Sequence, residues 1–373
     1  MEAHMRMRLR ALRYGLSFSG PALACWGLLG HGLATWALPI YGFAIIPLVE
    51  LFRAPTPDRL TDKEETAALA DPLYSVLLIA FVPVQWALLL LFFVQVGEPG
   101  LSGWELAGRI TTMGFMCGVY GINIAHELGH RATRWERNLA RTLLLSSLYM
   151  HFIIEHNRGH HRRVATPDDP ASARYGENIY FFWVRTIVMS FASAWHIEAE
   201  RLRKANKAPY GMQNEMIRFL AMELALVIVI GLAFGAHVLL AFLAAAFIGI
   251  LLLETVNYIE HYGLGRIMNE RGTYGRVLHA HSWNSDHLIG RLMLFELTRH
   301  SDHHHTASRK YQALRSEADG PQLPTGYPGM MILSLVPPVW FHIVDPIIER
   351  SLQRTPALVR ASGRVSLNTA TLD

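Results

Sequence analysis

The chain has 373 residues, 51% of them hydrophobic, a formal net charge of +4 and a mean hydropathy of +0.20. A soluble domain of this length needs fewer apolar residues, and the excess lies in blocks close to the roughly 20 residues that cross a bilayer as helix. Cys25 and Cys117 sit in apolar blocks, which excludes a disulfide framework or a thiolate metal site, and no basic stretch is interleaved with aromatics as nucleic-acid binding would require.

Arg6, Arg8, Arg10 and Arg13 precede the first predicted span, residues 12–29, and a short turn leads to a second at 33–51 with Pro39 and Pro47 inside it. A polar connection follows, then spans at 73–94 and 104–125, the latter running into His126. Residues 126–213 are mostly polar. Their apolar pieces at 143–154 and 179–194 predict helices that cap a bundle, and 195–207 predicts a solvated helix. Residues 216–258 are apolar for long enough to form two spans, 216–234 and 238–258. Residues 259–348 complete the cap, with Pro337, Pro338 and Pro346 breaking an interfacial helix, and 351–373 reads as a loose tail. The expected fold is therefore all-α, one polytopic membrane domain of six transmembrane helices under a histidine-rich helical cap.

The turns at 30–32, 95–103 and 234–237 contain no Lys or Arg. The positive-inside bias then places both termini and every histidine cluster on the cytoplasmic side of the inner membrane.

Three histidine clusters mark the cap. His126 and His130 flank Glu-Leu-Gly, His156 and His160 are four apart with His161 next, and His300, His303, His304 and His305 form the third. On an α-helix His156 and His160 share a face, with His161 about 100° further round. Imidazole-rich sites suit Fe, Zn, Cu or Ni. The first pair alone matches a zinc metalloprotease pattern, but such a site needs one further ligand and an open position, whereas this chain offers many more histidines. His261, directly after the last span, joins the ligand candidates. Nine strong candidates suit two metals of four or five ligands each.

Glu127, within the first pair, Glu155 and Glu260, each just before a histidine, and Asp302, between two, are candidates to accept the imidazole N–H that a metal-bound histidine leaves free, with direct ligation the alternative for Glu155, Glu260 and Asp302. His279, His281 and His287 lack paired spacing and read as supporting or surface residues, His151 and His196 as core or surface ones, and His305 stays open.

The stretches His126–His130, Glu155–His161, Ala165–Pro170, Gly176–Asn178, Asn257–Leu264 and Arg299–His304 together resemble the membrane-bound alkane monooxygenases, the non-haem di-iron ω-hydroxylases, over about residues 70–348. The resemblance implies two irons held by His126, His130, His156, His160, His161, His261, His300, His303 and His304, with no haem, flavin or nicotinamide on this chain. It implies terminal hydroxylation of medium-chain n-alkanes with O2, in membrane lipid, on electrons from rubredoxin and its reductase. Thr298 and His305 depart from the usual pattern. The related desaturases, fatty-acid hydroxylases and xylene monooxygenases share the three clusters and form the alternative. A basic face of Arg131, Arg134, Arg137, Arg162, Arg163, Arg201, Arg203 and Lys204 is the candidate docking surface for the acidic donor.

Overall fold

The computed structural model describes residues 2–361. Its regular elements are helices apart from one antiparallel ribbon, β1 (Leu264–Arg266) with β2 (Leu358–Arg360). Nearly continuous helical runs cover 2–29, 32–51, 73–96 and 103–129, each interrupted by a short turn, 3-10 or π segment. Among the described residues, three helices are long and apolar enough to cross a membrane: Gly32–Leu51, Leu73–Val96 and Glu215–His261.

Local sequence fixes several of the ends. Thr61 and Glu64, and again Ser102 and Glu105, form reciprocal capping boxes that satisfy the first free N–H groups of their helices. Asn178 and Asn214 cap the helices that begin at Ile179 and Glu215.

The last apolar block is 47 residues of helix, which would extend about 70 Å if straight. It folds back at Gly235, whose φ of 84° a side chain would resist. Phe93 packs on both Phe234 and Phe242, at 5.2 and 5.5 Å between ring centroids. At the other end, Met150 N donates to Glu223 (2.8 Å) while the Tyr149 hydroxyl donates to Glu254 (2.7 Å). The two arms therefore lie side by side.

The turns free of Lys and Arg gather at that folded end. The buried Arg109 guanidinium donates to the carbonyls of Gly30 (3.1 Å) and Gln95 (2.5 Å) and pairs with Glu98 (3.3 Å). Gly97 in turn faces Val238. His126, His130 and His261 lie at the opposite ends of these helices.

Two expectations about the cap need correction. Residues 143–154 are not one helix: Arg134–Leu145 ends, a turn with Leu148 at φ 51° follows, and a new helix starts at Phe152. Residues 179–204, expected as two pieces, are one helix. The loose tail is also wrong where it can be seen. Helix Pro337–Arg354 runs through its first residues, and β2 then pairs with β1 because Leu264 and Leu358 both bury apolar side chains there. Residues 362–373 lie outside the described residues.

Candidate metal centre

Each histidine arrives from a helix end. His126 lies on the short α-helix Asn123–Gly129 and His130 just past it, His261 closes the long hairpin, and His300, His303 and His304 share helix His300–His305. The segment His156–His160 is a π-helix, a wide turn with i→i+5 hydrogen bonds that is frequent at functional sites.

That π turn changes the expected pairing. His156 and His161, five apart, converge with their Nε2 atoms 2.9 Å apart, while His160 turns away to meet His304 at 3.2 Å. An α-helix would have put His156 and His160 on one face; the wider turn separates them.

The result is two groups: His126, His130, His156, His161 and His303, and then His160, His261, His300 and His304. Within the first, Nε2 separations are 2.9 Å (His126–His303), 3.1 Å (His130–His156) and 3.2 Å (His130–His161 and His161–His303). In the second, His261–His300 is 3.1 Å and His300–His304 is 2.8 Å. His130 and His161 are half-buried and the other seven are buried.

These atoms fit a cation and little else. A neutral imidazole offers one donor and one acceptor nitrogen, so five mutually close Nε2 atoms cannot all be joined by protons. Two nitrogens bound at about 2.1 Å to one ion and at right angles stand about 3.0 Å apart, which is the spacing seen. All nine candidate ligands of the sequence are brought together, split five and four.

The carboxylates behave differently from expectation. Glu260 reaches an imidazole, but at the coordinating side: its Oε2 is 3.1 Å from His300 Nε2, and its Oε1 accepts from the Tyr327 hydroxyl at 2.9 Å. It is placed as a further ligand candidate. Glu127 pairs with Arg131 (2.8 Å) and accepts from Tyr311 N (3.2 Å). Glu155 accepts from Arg163 (2.5 Å) and Ser193 (3.3 Å). Asp302 accepts Arg309 on both oxygens at 2.7 Å and Arg315 N at 2.9 Å. These three brace neighbouring arginines and backbone, so the role assigned to them from sequence passes elsewhere.

It passes to Asp169. His160 Nδ1 donates to Asp169 Oδ2 at 2.9 Å, leaving Nε2 free to bind. Burial works to raise the Asp169 carboxyl, but the hydrogen bonds from His160 and Ser172 hold it below its ordinary value. Glu155 shows the reverse balance: burial, with Asp169 adding to it, lifts it above the usual carboxylate range in spite of Arg163. The Asp169 signal in sequence was only its place in Ala165–Pro170.

His305 points away from both groups and stacks on His279 at 4.2 Å. With Asp302 they form a third cluster, whose carboxylate already carries the charge of Arg309. Behind the third histidine segment, Arg299 donates to Asp58 (2.5 Å), Asp286 (3.2 Å) and the Leu314 carbonyl (2.8 Å), which locks the start of helix His300–His305.

The proposed basic face is thinner than the sequence suggested. Arg131 is buried against Glu127, Arg163 is tied to Glu155, Arg201 to Glu198 and Lys204 to Glu200, and Arg137 donates to the carbonyls of residues 131 and 132. Acidic neighbours on the same helices or on adjoining ones neutralise them. Arg134, Arg162 and Arg203 remain exposed.

An apolar cavity of about 80 Å³ lies beside the site. Its walls include Phe43, Phe115, Leu253 and Val256, and its inner end includes Asn123 and Tyr327. Asn123 is one helical turn before His126, and Tyr327 holds Glu260.

Residues 102–334 match the fatty acid desaturase family. Alkane 1-monooxygenase 1 of Pseudomonas aeruginosa is 42% identical over 325 residues, 85% of this chain and 84% of the relative. Alkane 1-monooxygenase of Acinetobacter baylyi is 38% identical over 307 residues, 82% and 75%. The xylene/toluene monooxygenase hydroxylase component of Pseudomonas putida is 32% identical over 257 residues, 69% and 68%.

Proposed function

The chain belongs to the alkane 1-monooxygenase family, within the wider desaturase family, and from that premise we propose that it hydroxylates n-alkanes at the terminal carbon with O2. The observation that carries this reading is the junction of two converging histidine groups with an apolar cavity. The balance is one alkane, one O2, two electrons and two protons giving one 1-alkanol and one water.

His126, His130, His156, His161 and His303 would hold one iron, and His160, His261, His300 and His304 the other, with Glu260 in reach of the second. Bound there, the pair of irons would supply reductive O2 activation and hydrogen-atom removal from carbon. The protein supplies position. A terminal methyl has a stronger C–H bond than an internal methylene, so selectivity must come from an apolar cavity that presents the chain end at Asn123 and Tyr327. Those walls also keep bulk water from the reacting carbon.

Six spans, at 12–29, 33–51, 73–94, 104–125, 216–234 and 238–258, would place this centre on the cytoplasmic face of the bacterial inner membrane. Rubredoxin would then deliver electrons there, reduced in turn by its reductase. His130 and His161, the two half-buried imidazoles, are the shortest way in from solvent.

The test is reconstitution with rubredoxin, its reductase, NADH and a series of n-alkanes under ¹⁸O₂. Labelled 1-alkanol with about two irons per chain is expected. Alkene without label would assign a desaturase, and oxidised xylene in preference to any alkane would assign the xylene-type reaction.

A further inference from the structure

A second cavity lies behind the histidines. Its volume is about 10 Å³, and its lining includes His151, Glu155, Ser190 and Glu254 together with His156 and His160. His156 belongs to the first histidine group and His160 to the second, so this chamber touches both. Its lining mixes polar groups with Phe152 and Ala171, where that of the alkane-side cavity is almost wholly apolar. The volume is room for about one water and far too little for an alkyl chain.

One group in it lacks a partner. His151 is buried, and its Nε2 makes no hydrogen bond within the protein. The ring cannot easily turn to find one, because Tyr149 and Phe191 pack edge-on against it at 4.4 and 5.2 Å. A buried imidazole nitrogen left dry is costly, and such groups are ordinarily met by ordered water.

The chamber also comes close to the surface. Glu155, on its wall, accepts from Arg163 and Ser193, both partly exposed. A Cβ on Gly159 would stand 2.5 Å from both Arg163 Nη2 and Glu155 Oε1, so the glycine makes room for this pair. A single ion pair thus stands between chamber and solvent at this point.

Each hydroxylation takes up two protons and releases one water. The apolar cavity offers a hydrated proton no partner, and the chamber gives the histidines a second polar approach besides half-buried His130 and His161. We propose that this chamber is a proton relay between the cytosolic surface and the two histidine groups, its water anchored by His151 Nε2. The proposal rests on the hydroxylase reading. Protons pass along water and hydroxyl groups, so no bond of the protein is made or broken overall.

His151→Phe keeps an aromatic ring between Tyr149 and Phe191 but removes the nitrogen. Ser190→Val dries the opposite wall, and His151→Gln restores a polar atom. A high-resolution cryo-EM map of the wild type in nanodiscs, with or without iron, should show ordered water within hydrogen-bond distance of Nε2, and the His151→Phe map should not. With two irons retained, both blocking variants should lose alkanol per NADH by at least about tenfold. Hydrogen peroxide should account for the difference, the solvent isotope effect should rise, and His151→Gln should recover most of the coupling. A dry chamber in the wild-type map overturns the proposal, whatever the variants do. So does unchanged coupling and isotope effect in whichever blocking variant folds. Wild type that binds two irons yet makes no alkanol would reject the hydroxylase reading instead, and the water map would still decide the chamber.

Discussion

Asp169→Asn changes one atom and should release one metal before the other. The Asp169 carboxylate accepts from His160 Nδ1 (2.9 Å), Ser172 Oγ (2.6 Å) and Ala171 N (3.2 Å). Every neighbour is a donor, so the amide NH2 of asparagine must face at least one of them whichever way it is turned. A buried hydrogen bond to a charged group contributes about 1.5–3 kcal/mol, which is about 10–100-fold in binding. Loss of such a partner to a metal-binding histidine weakens metal or activity by about the same factor. Of the nine histidines only His160 hydrogen-bonds to Asp169, and His160 belongs to the four-histidine group. Chelator challenge followed by iron analysis should therefore show a fast-leaving iron and a wild-type-like one, at a plateau near one iron per chain. The exposed neighbour variant Asp168→Asn should lose neither. Loss of both irons from Asp169→Asn at equal rates, or retention of both at the wild-type rate, would refute the division into two groups or the role of Asp169.

Arg109→Met should lower thermal stability in detergent by about 2–5 kcal/mol, because it strands the carbonyls of Gly30 and Gln95 and removes the link between two turns; an unchanged unfolding temperature would deny that link. In a background with Cys25 and Cys117 replaced, cysteine at exposed Asn206 or Glu270 should resist an impermeant maleimide in intact cells while cysteine at exposed Pro99 reacts. The reverse pattern would invert the topology. Arg134→Glu with Arg162→Glu should weaken coupling to an acidic donor several-fold at low salt, with the difference fading as salt screens it. A salt-independent rate equal to wild type would remove these two from the docking face.

Much of the architecture could be read from apolar block length and from turns without Lys or Arg, because both report the bilayer directly. The fold-back at Gly235 was legible for the same reason: a polar-poor stretch too long for one crossing has to return. The carboxylates were not. Glu127, Glu155 and Asp302 sit beside ligands in sequence, yet each faces an arginine, since adjacent helical residues point in different directions. Asp169 is nine residues from His160 and reaches it only because the chain doubles back, with Ala165 at φ 59°. Sequence adjacency is thus a poor guide to which acid supports which imidazole.

The deeper reason lies in the π-helix. With α-helical spacing, His156 and His160 would share a face and enter one group, with His161 pointing elsewhere. The π turn over His156–His160 sends His161 to the group of His156 and His160 to the group of Asp169. A second π segment, Met116–Ile122, precedes His126 by one helical turn and places Gly118, Val119 and Tyr120 on the apolar cavity wall. A third, Tyr41–Ile45, lines the same cavity from the facing run with Tyr41, Gly42 and Phe43. Wide turns cost hydrogen-bond geometry and persist where the surroundings over-determine them. All three border either the imidazoles or the cavity that would hold the substrate, so the same backbone irregularity that hides the ligand pairing from the sequence also shapes the room in which the chain end meets the metals.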